Sequence, residues 1–173
     1  MIRLLPFHES DFDLFISWID NEELLVTIAG TDLTFPLTND QLRAYLKIEN
    51  SHSFTIVDTT SNKKVGHAEI VLSGNGVFKI DKLLVGDRSL RGKGLGQEII
   101  QELLQYAFTN LNASTVELNV FDWNVAGIRC YEKCGFTVNL DERKAFQTGN
   151  KTWTAINMTI EKLDWTNSMP ESM

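Results

Sequence analysis

Apolar and polar positions alternate along this chain in two rhythms that succeed one another. Residues 2–5, 53–57, 65–72 and 77–85 are short runs rich in branched and aromatic side chains, which predict strands. Phe12, Phe15, Ile16 and Ile19 recur at helical spacing behind Ser10, a candidate N-cap, and Leu24-Leu25-Val26 either extends that helix or begins another. Thr38 and Gln41 read as a capping box for a helix packing through Leu42, Tyr45, Leu46 and Ile48. Further on, Ile99, Ile100, Leu103, Leu104, Ala107 and Phe108 mark one side of a long helix. A strand over 116–120, a helix from Asn124 and a closing hairpin over 136–140 and 152–162 complete the pattern. The predicted order is β-α-α-β-β-β-α-β-α-β-β, an α/β class with helices on both faces of one sheet. Residues 1–163 are expected to form one domain, and 164–173, with Pro170 and little periodicity, a frayed tail.

The most informative stretch lies between the strand ending at Val85 and the helix that follows. Arg91-Gly92-Lys93-Gly94-Leu95-Gly96-Gln97 places three glycines before a helix start. Without Cβ atoms, successive backbone N–H groups can converge on one guest, and the first helical turn adds unpaired donors and the positive end of its dipole. That arrangement is a cradle for phosphate. A magnesium-binding P-loop would need Ser or Thr directly after Gly-Lys, and a dinucleotide fingerprint needs G-x-G-x-x-G; neither pattern is present.

Arg91-x-x-Gly94-x-Gly96, after a strand and opening a helix, resembles the pyrophosphate-binding motif of the GNAT superfamily of acyl-CoA-dependent N-acyltransferases. A second match follows in Asn124-x-Ala126, Tyr131 and Gly135-Phe136, which resembles that family's second cofactor element. The resemblance implies a GNAT-type mixed, mostly antiparallel sheet, and acetyl-CoA as co-substrate. By that resemblance the backbone of Leu84 and Val85 pairs with pantetheine, in a register of 83–85 or 84–86. The amides from Arg91 through Gly92, Lys93, Gly94, Leu95, Gly96 and Gln97 hold pyrophosphate, and Asn124 caps its helix while touching the cofactor. Tyr131 stands where the family's tyrosine protonates the leaving thiolate. Glu69 and Asp81, on the central strands, are the candidates to take the amine's proton.

Composition narrows the remaining possibilities. A net charge of −7 on 173 residues opposes a broad nucleic-acid surface, and no apolar run suits a membrane span. No metal site is expected, because His8, His52 and His67 are scattered, and Cys130 and Cys134 read as small core residues of a reducing, cytoplasmic environment. Trp18, Phe35 and the carboxylates Asp20, Glu22, Glu23 and Asp32 suggest a cation-binding acceptor pocket near the N-terminus. The expected activity is acetyl transfer to a small cationic amine or a protein N-terminus, with homodimer formation left open. The alternative is a non-catalytic acyl-CoA-binding sensor.

Overall fold

A computed structural model describes residues 1–169. Seven strands form one sheet: β1 (Ile2–Pro6), β2 (Ser51–Asp58), β3 (Lys63–Gly74), β4 (Val77–Val85), β5 (Thr115–Phe121), β6 (Thr137–Thr148) and β7 (Lys151–Glu161). Their spatial order is β1-β2-β3-β4-β5-β7-β6, and every pairing is antiparallel except β4 with β5. Helices α1 (Phe12–Trp18), α2 (Glu22–Ala29) and α3 (Asn39–Leu46) follow β1, while α4 (Leu95–Gln105) and α5 (Val125–Lys133) flank β5. A π turn over Tyr106–Asn110 closes α4.

Two apolar clusters sandwich the sheet. Ile99, Ile100, Leu103 and Leu104 of α4 bury their stripe against Ile70, Ile80 and Leu118, whereas Phe12, Phe15, Leu25 and Leu42 form the core under α1–α3. The sheet's two faces are thus both covered by helices, as the alternation predicts.

Several local expectations are corrected. Ser10 is no cap: a short 3-10 turn over Glu9–Asp11 precedes α1, and Asp11 reaches back to the His8 N–H. Asp11 is committed there because it is buried and also bonds Thr55 and Lys64. Residues 24–26 belong to a separate helix, α2, which Asn21 caps through the Leu24 N–H. Thr38 does cap α3, but the Gln41 side chain turns instead to Thr34 and Pro36, tying down the preceding loop. Residues 162–168, largely assigned to the frayed tail, form α6 (Lys162–Ser168), whose Trp165 ring lies 5.0 Å from Phe108. Burying that indole against the apolar core is what orders the helix. Residues 170–173 of that tail lie outside the described residues.

Candidate active site

The parallel β4–β5 pairing ends early. Ile80 opposite Leu118 is the last registered pair, although β4 continues to Val85 and β5 to Phe121. The cause is on β4. Between the pairs Glu69–Asp81 and His67–Leu84, β3 has one residue, Ala68, while β4 has two, Lys82 and Leu83. Lys82 takes a left-handed backbone conformation, φ 51°. Such a bulge bends its strand and inverts the side-chain alternation. Ile80 accordingly joins the α4 core, while Leu84 joins the α1–α3 core.

The bulge also places two consecutive charged side chains together. Lys82 Nζ meets Glu69 at 3.1 Å, Asp32 at 3.0 Å and Asp81 at 3.4 Å. Burial alone would lower the Lys82 ammonium's pKa, but Asp81, Glu69 and Asp32 together hold it above its ordinary value. Lys82 was not among the expected site residues; the available signal was a second charge directly after Asp81, which breaks the alternation of the strand.

Where β4 and β5 part, a cleft of about 570 Å³ opens between the end of β4, the glycine loop and α5. Of the residues expected at the site, Leu84, Val85, Arg91, Gly92, Gly94, Gly96, Gln97, Asn124 and Tyr131 line it. Lys93 and Leu95 are not on the wall: Lys93 faces solvent and Leu95 packs on the core. Gly92 and Gly94 adopt φ of 77° and 82°, conformations that disfavour other residues, and Gly94 opens α4. Gly96 has an ordinary φ, and a Cβ there would lie 3.8 Å from Cys130 Sγ. Arg91 turns back, its Nε donating to the Val85 carbonyl at 2.9 Å, which fixes the loop to the strand it leaves.

On the opposite wall, Asn124 Oδ1 accepts from the Gly127 N–H at 3.0 Å and caps α5. From α5, Arg129, Cys130, Tyr131 and Lys133 reach the cleft wall. Arg129 and Lys133, four apart, were missed by the sequence reading; a basic pair on the Asn124 helix was the available signal. Cys130 is half-buried on this wall rather than a core residue, and only Cys134 is buried. Their contact lowers the Cys130 thiol's pKa and raises that of Cys134.

Tyr131 lies where two spaces meet. It lines the cleft and also a small pocket of about 50 Å³, shared with Thr27, Ile28, Asp81, Leu83 and Asn119. Burial, with the two neighbouring thiols, pushes the phenol's pKa above its ordinary value, which already keeps the hydroxyl protonated at neutral pH. Beyond it, a second pocket of about 90 Å³ lies between the end of α2 and the strands, walled by Asp32, Lys79, Asp81, Asn119, Lys144 and Phe146, among others.

The two carboxylate candidates part here. Asp81 lines both pockets. Glu69 is 2% exposed, bonds Lys82 and Ser51, and lines neither. His67 sits inside the sheet, its Nε2 3.0 Å from the Tyr45 hydroxyl, and is a structural residue, not an edge one. The acidic run is largely paired within the chain: Asp20 with Arg88, Glu23 with Lys151, Asp32 with Lys82. Trp18 is not on an acceptor wall. It packs beside Gly86, where a Cβ would come within 2.1 Å of its ring, so the chain leaves β4 over an indole that only glycine clears. Phe35 is exposed and lies on none of these walls.

A splayed parallel pair, a left-handed glycine loop opening a helix and a half-buried tyrosine at the junction define an acyl-CoA-dependent acyltransferase site. The chain belongs to the GNAT acetyltransferase family, whose model matches residues 9–136. It is similar to an N-acetyltransferase 9-like protein of Nematostella vectensis, 24% identical over 91% of this chain and 85% of that protein. It is also 24% identical to an aminoglycoside N(6')-acetyltransferase type 1 of Klebsiella pneumoniae, over 78% of this chain and 72% of the other. Among solved structures, spermidine N-acetyltransferase from Vibrio cholerae, crystallised with CoA and spermine, superposes with a TM-score of 0.81. That match covers 96% of this chain and 98% of the other at 18% identity. Among the described residues no helix is long and apolar enough to cross a membrane, and no cluster of metal-ligating side chains is present.

Proposed function

We propose that this acetyltransferase moves an acetyl group from acetyl-CoA to a small primary amine by direct attack in a ternary complex. The observation that carries this reading is the position of Tyr131, on the wall of both the large cleft and the small polar pocket. A thioester in the cleft and an amine in the pocket would meet beside its hydroxyl.

The residues divide the work as follows. Backbone amides of the glycine loop and the first turn of α4 bind the pyrophosphate, with Arg129 and Lys133 adding charge from α5. The Asn124 amide nitrogen remains available to pantetheine while its oxygen caps the helix. Because the Gly86 N–H donates to Val65 across β3, strand alternation turns the backbone of Val85 toward the cleft. This favours the 83–85 register, with the Val85 N–H as the donor that polarises the thioester carbonyl. Tyr131 donates its proton to the departing sulfur. Asp81, rather than the enclosed Glu69, receives the amine's proton directly or across one water.

A small amine, as in the names of several relatives, suits pockets of this size better than a protein N-terminus. The sensor reading is not favoured, because a CoA-binding role alone would need no polar pocket beyond Tyr131. Free-thiol release from acetyl-CoA across a panel of amines tests the proposal. Amine-dependent turnover is the expected result; CoA binding without turnover of any amine would return the chain to the sensor reading.

A further inference from the structure

The acceptor space carries an arrangement of charge that its expected cationic partner does not explain. At its inner end, beside Tyr131, lie Thr27 and Ile28 in the last turn of α2, together with Asp81. Carbonyls at a helix C-terminus carry partial negative charge, and with a carboxylate they favour an ammonium. The carboxylates around that end are nevertheless largely balanced. Asp32 and Asp81 both pair with Lys82, and Asp81 also meets Lys79 at 3.5 Å.

The other end has the opposite character. Lys144 lines the second pocket, its Nζ over the Phe146 ring at 5.2 Å. It takes part in no ion pair among the described residues. Phe146 is itself fixed, its ring in edge contact with Phe121 and close enough to Gly30 that a Cβ there would lie 3.0 Å away. Among the described residues, Lys144 is therefore the lysine of this pocket without an ion pair, whereas Lys79 meets Asp81. Asp141, Glu142 and Arg143 share an adjoining groove with the exposed Lys144, where β6 bulges between Asn139 and Arg143. They do not line the pocket in question.

We propose that the acceptor is a small aminocarboxylate: its amine enters beside Tyr131 and Asp81, and its carboxylate a few carbons away pairs with Lys144. This rests on the acetyltransferase reading above and departs from the diamines and aminoglycosides named among the relatives. The chemistry at the amine is unchanged. Nitrogen forms the new amide bond, the thioester C–S bond breaks, one proton leaves the amine, and the thiolate gains one.

Acetylation of γ-aminobutyrate, putrescine and n-butylamine, which share a four-carbon chain, tests the idea on the full-length protein. An ion pair at an exposed lysine predicts that γ-aminobutyrate has a kcat/KM about two- to fivefold above that of the other two. Lys144→Glu should invert the order in favour of putrescine, Lys144→Gln should level it, and neither should alter CoA affinity. Higher kcat/KM for putrescine with the wild-type protein, or a preference untouched by Lys144→Glu, overturns the aminocarboxylate while leaving the acetyltransferase reading intact. Failure to acetylate any amine, with CoA still bound, overturns both.

Discussion

Lys82 Nζ lies 3.1 Å from Glu69 Oε1 across the β3–β4 pair, and neither side chain is more than 3% exposed. This ion pair sits at the bulge that parts β4 from β5, so the electrostatics of the sheet and the opening of the cofactor cleft share one residue. Lys82→Met leaves Glu69 buried without its counter-charge and should destabilise the protein by about 3–5 kcal/mol. Lys82→Gly accommodates the left-handed backbone yet loses the same charge, so it should be nearly as unstable. Adding Glu69→Gln to Lys82→Met should recover part of the loss. Chemical denaturation of the three variants checks this; full stability in Lys82→Met would show the pair to be dispensable.

His67 sets a pH limit on the fold. Burial, aided by the Lys82 charge, pulls its pKa from 6.5 to about 3, so the ring is neutral in the folded protein. The unfolded chain binds a proton at pH values below 6.5 that the folded state refuses. Stability is therefore complete above 6.5 and lost progressively as pH falls toward 3. By pH 5 the loss from this residue is about 2 kcal/mol. His67→Gln, which can still bond Tyr45, should flatten the decline of Tm between pH 7 and pH 5 measured by calorimetry. Asp11, whose pKa lies below its ordinary value despite burial because Lys64, His8 and Thr55 bond it, acts only at lower pH and does not blur that window.

The glycine loop and the Asn124–Tyr131 spacing were legible in the sequence because each depends on local chemistry. Gly92 and Gly94 must take positive φ, Asn124 is a natural cap, and Tyr131 follows at two helical turns. The bulge was not read from the sequence: Asp81-Lys82 breaks the alternation of the strand, but a break alone does not show that the partner strand has one residue fewer. The fate of the acidic run was hidden for a related reason. Asp20 finds Arg88 and Glu23 finds Lys151 only through tertiary contact, over sequence separations that no periodicity reveals. Trp165 packs on Phe108 by the same kind of distant contact, which is why 164–168 read as a tail.

Those pairings alter what the acidic residues should do. Asp20→Asn and Glu23→Gln remove exposed ion pairs, each worth about 0.2–1 kcal/mol at most. Acceptor KM should change less than about fivefold in either variant, within that energy range. Steady-state kinetics with any turned-over amine decides; a large rise in KM would restore these residues to amine recruitment.

Gly96→Asp is the cleaner probe of the phosphate cradle than Gly94→Asp, because only Gly94 requires a left-handed backbone. A Cβ at Gly96 has ordinary contact distance to Cys130, so Gly96→Ala should fold and bind CoA with modest loss. The carboxylate of Gly96→Asp adds repulsion to the same position and should weaken CoA binding by about a hundredfold, the scale of losing one or two charge-assisted hydrogen bonds. Calorimetric titration with CoA compares the two. Unchanged affinity in a folded Gly96→Asp protein would place the pyrophosphate elsewhere.

Tyr131→Phe isolates the chemistry at one atom. The ring packs near Phe136, with centroids 6.2 Å apart, and is retained, so stability should change little. Its hydroxyl is protonated at neutral pH, as any phenol is, and burial raises its pKa further, so the proton a general acid needs is in place. Assistance to a departing thiolate exists chiefly in the transition state, so kcat should fall while CoA affinity and acceptor KM stay close to wild type. General-acid help is typically worth about a hundredfold or more, and a thiolate is already a fair leaving group, which sets the expectation near the lower end. Raising the pH should not restore the rate, since the missing donor leaves nothing to titrate. Stopped thiol-release assays over a pH series, with CoA binding measured on the same preparations, give the answer. Wild-type kcat in a CoA-binding Tyr131→Phe protein would remove the hydroxyl from the mechanism and leave protonation of the thiolate to solvent.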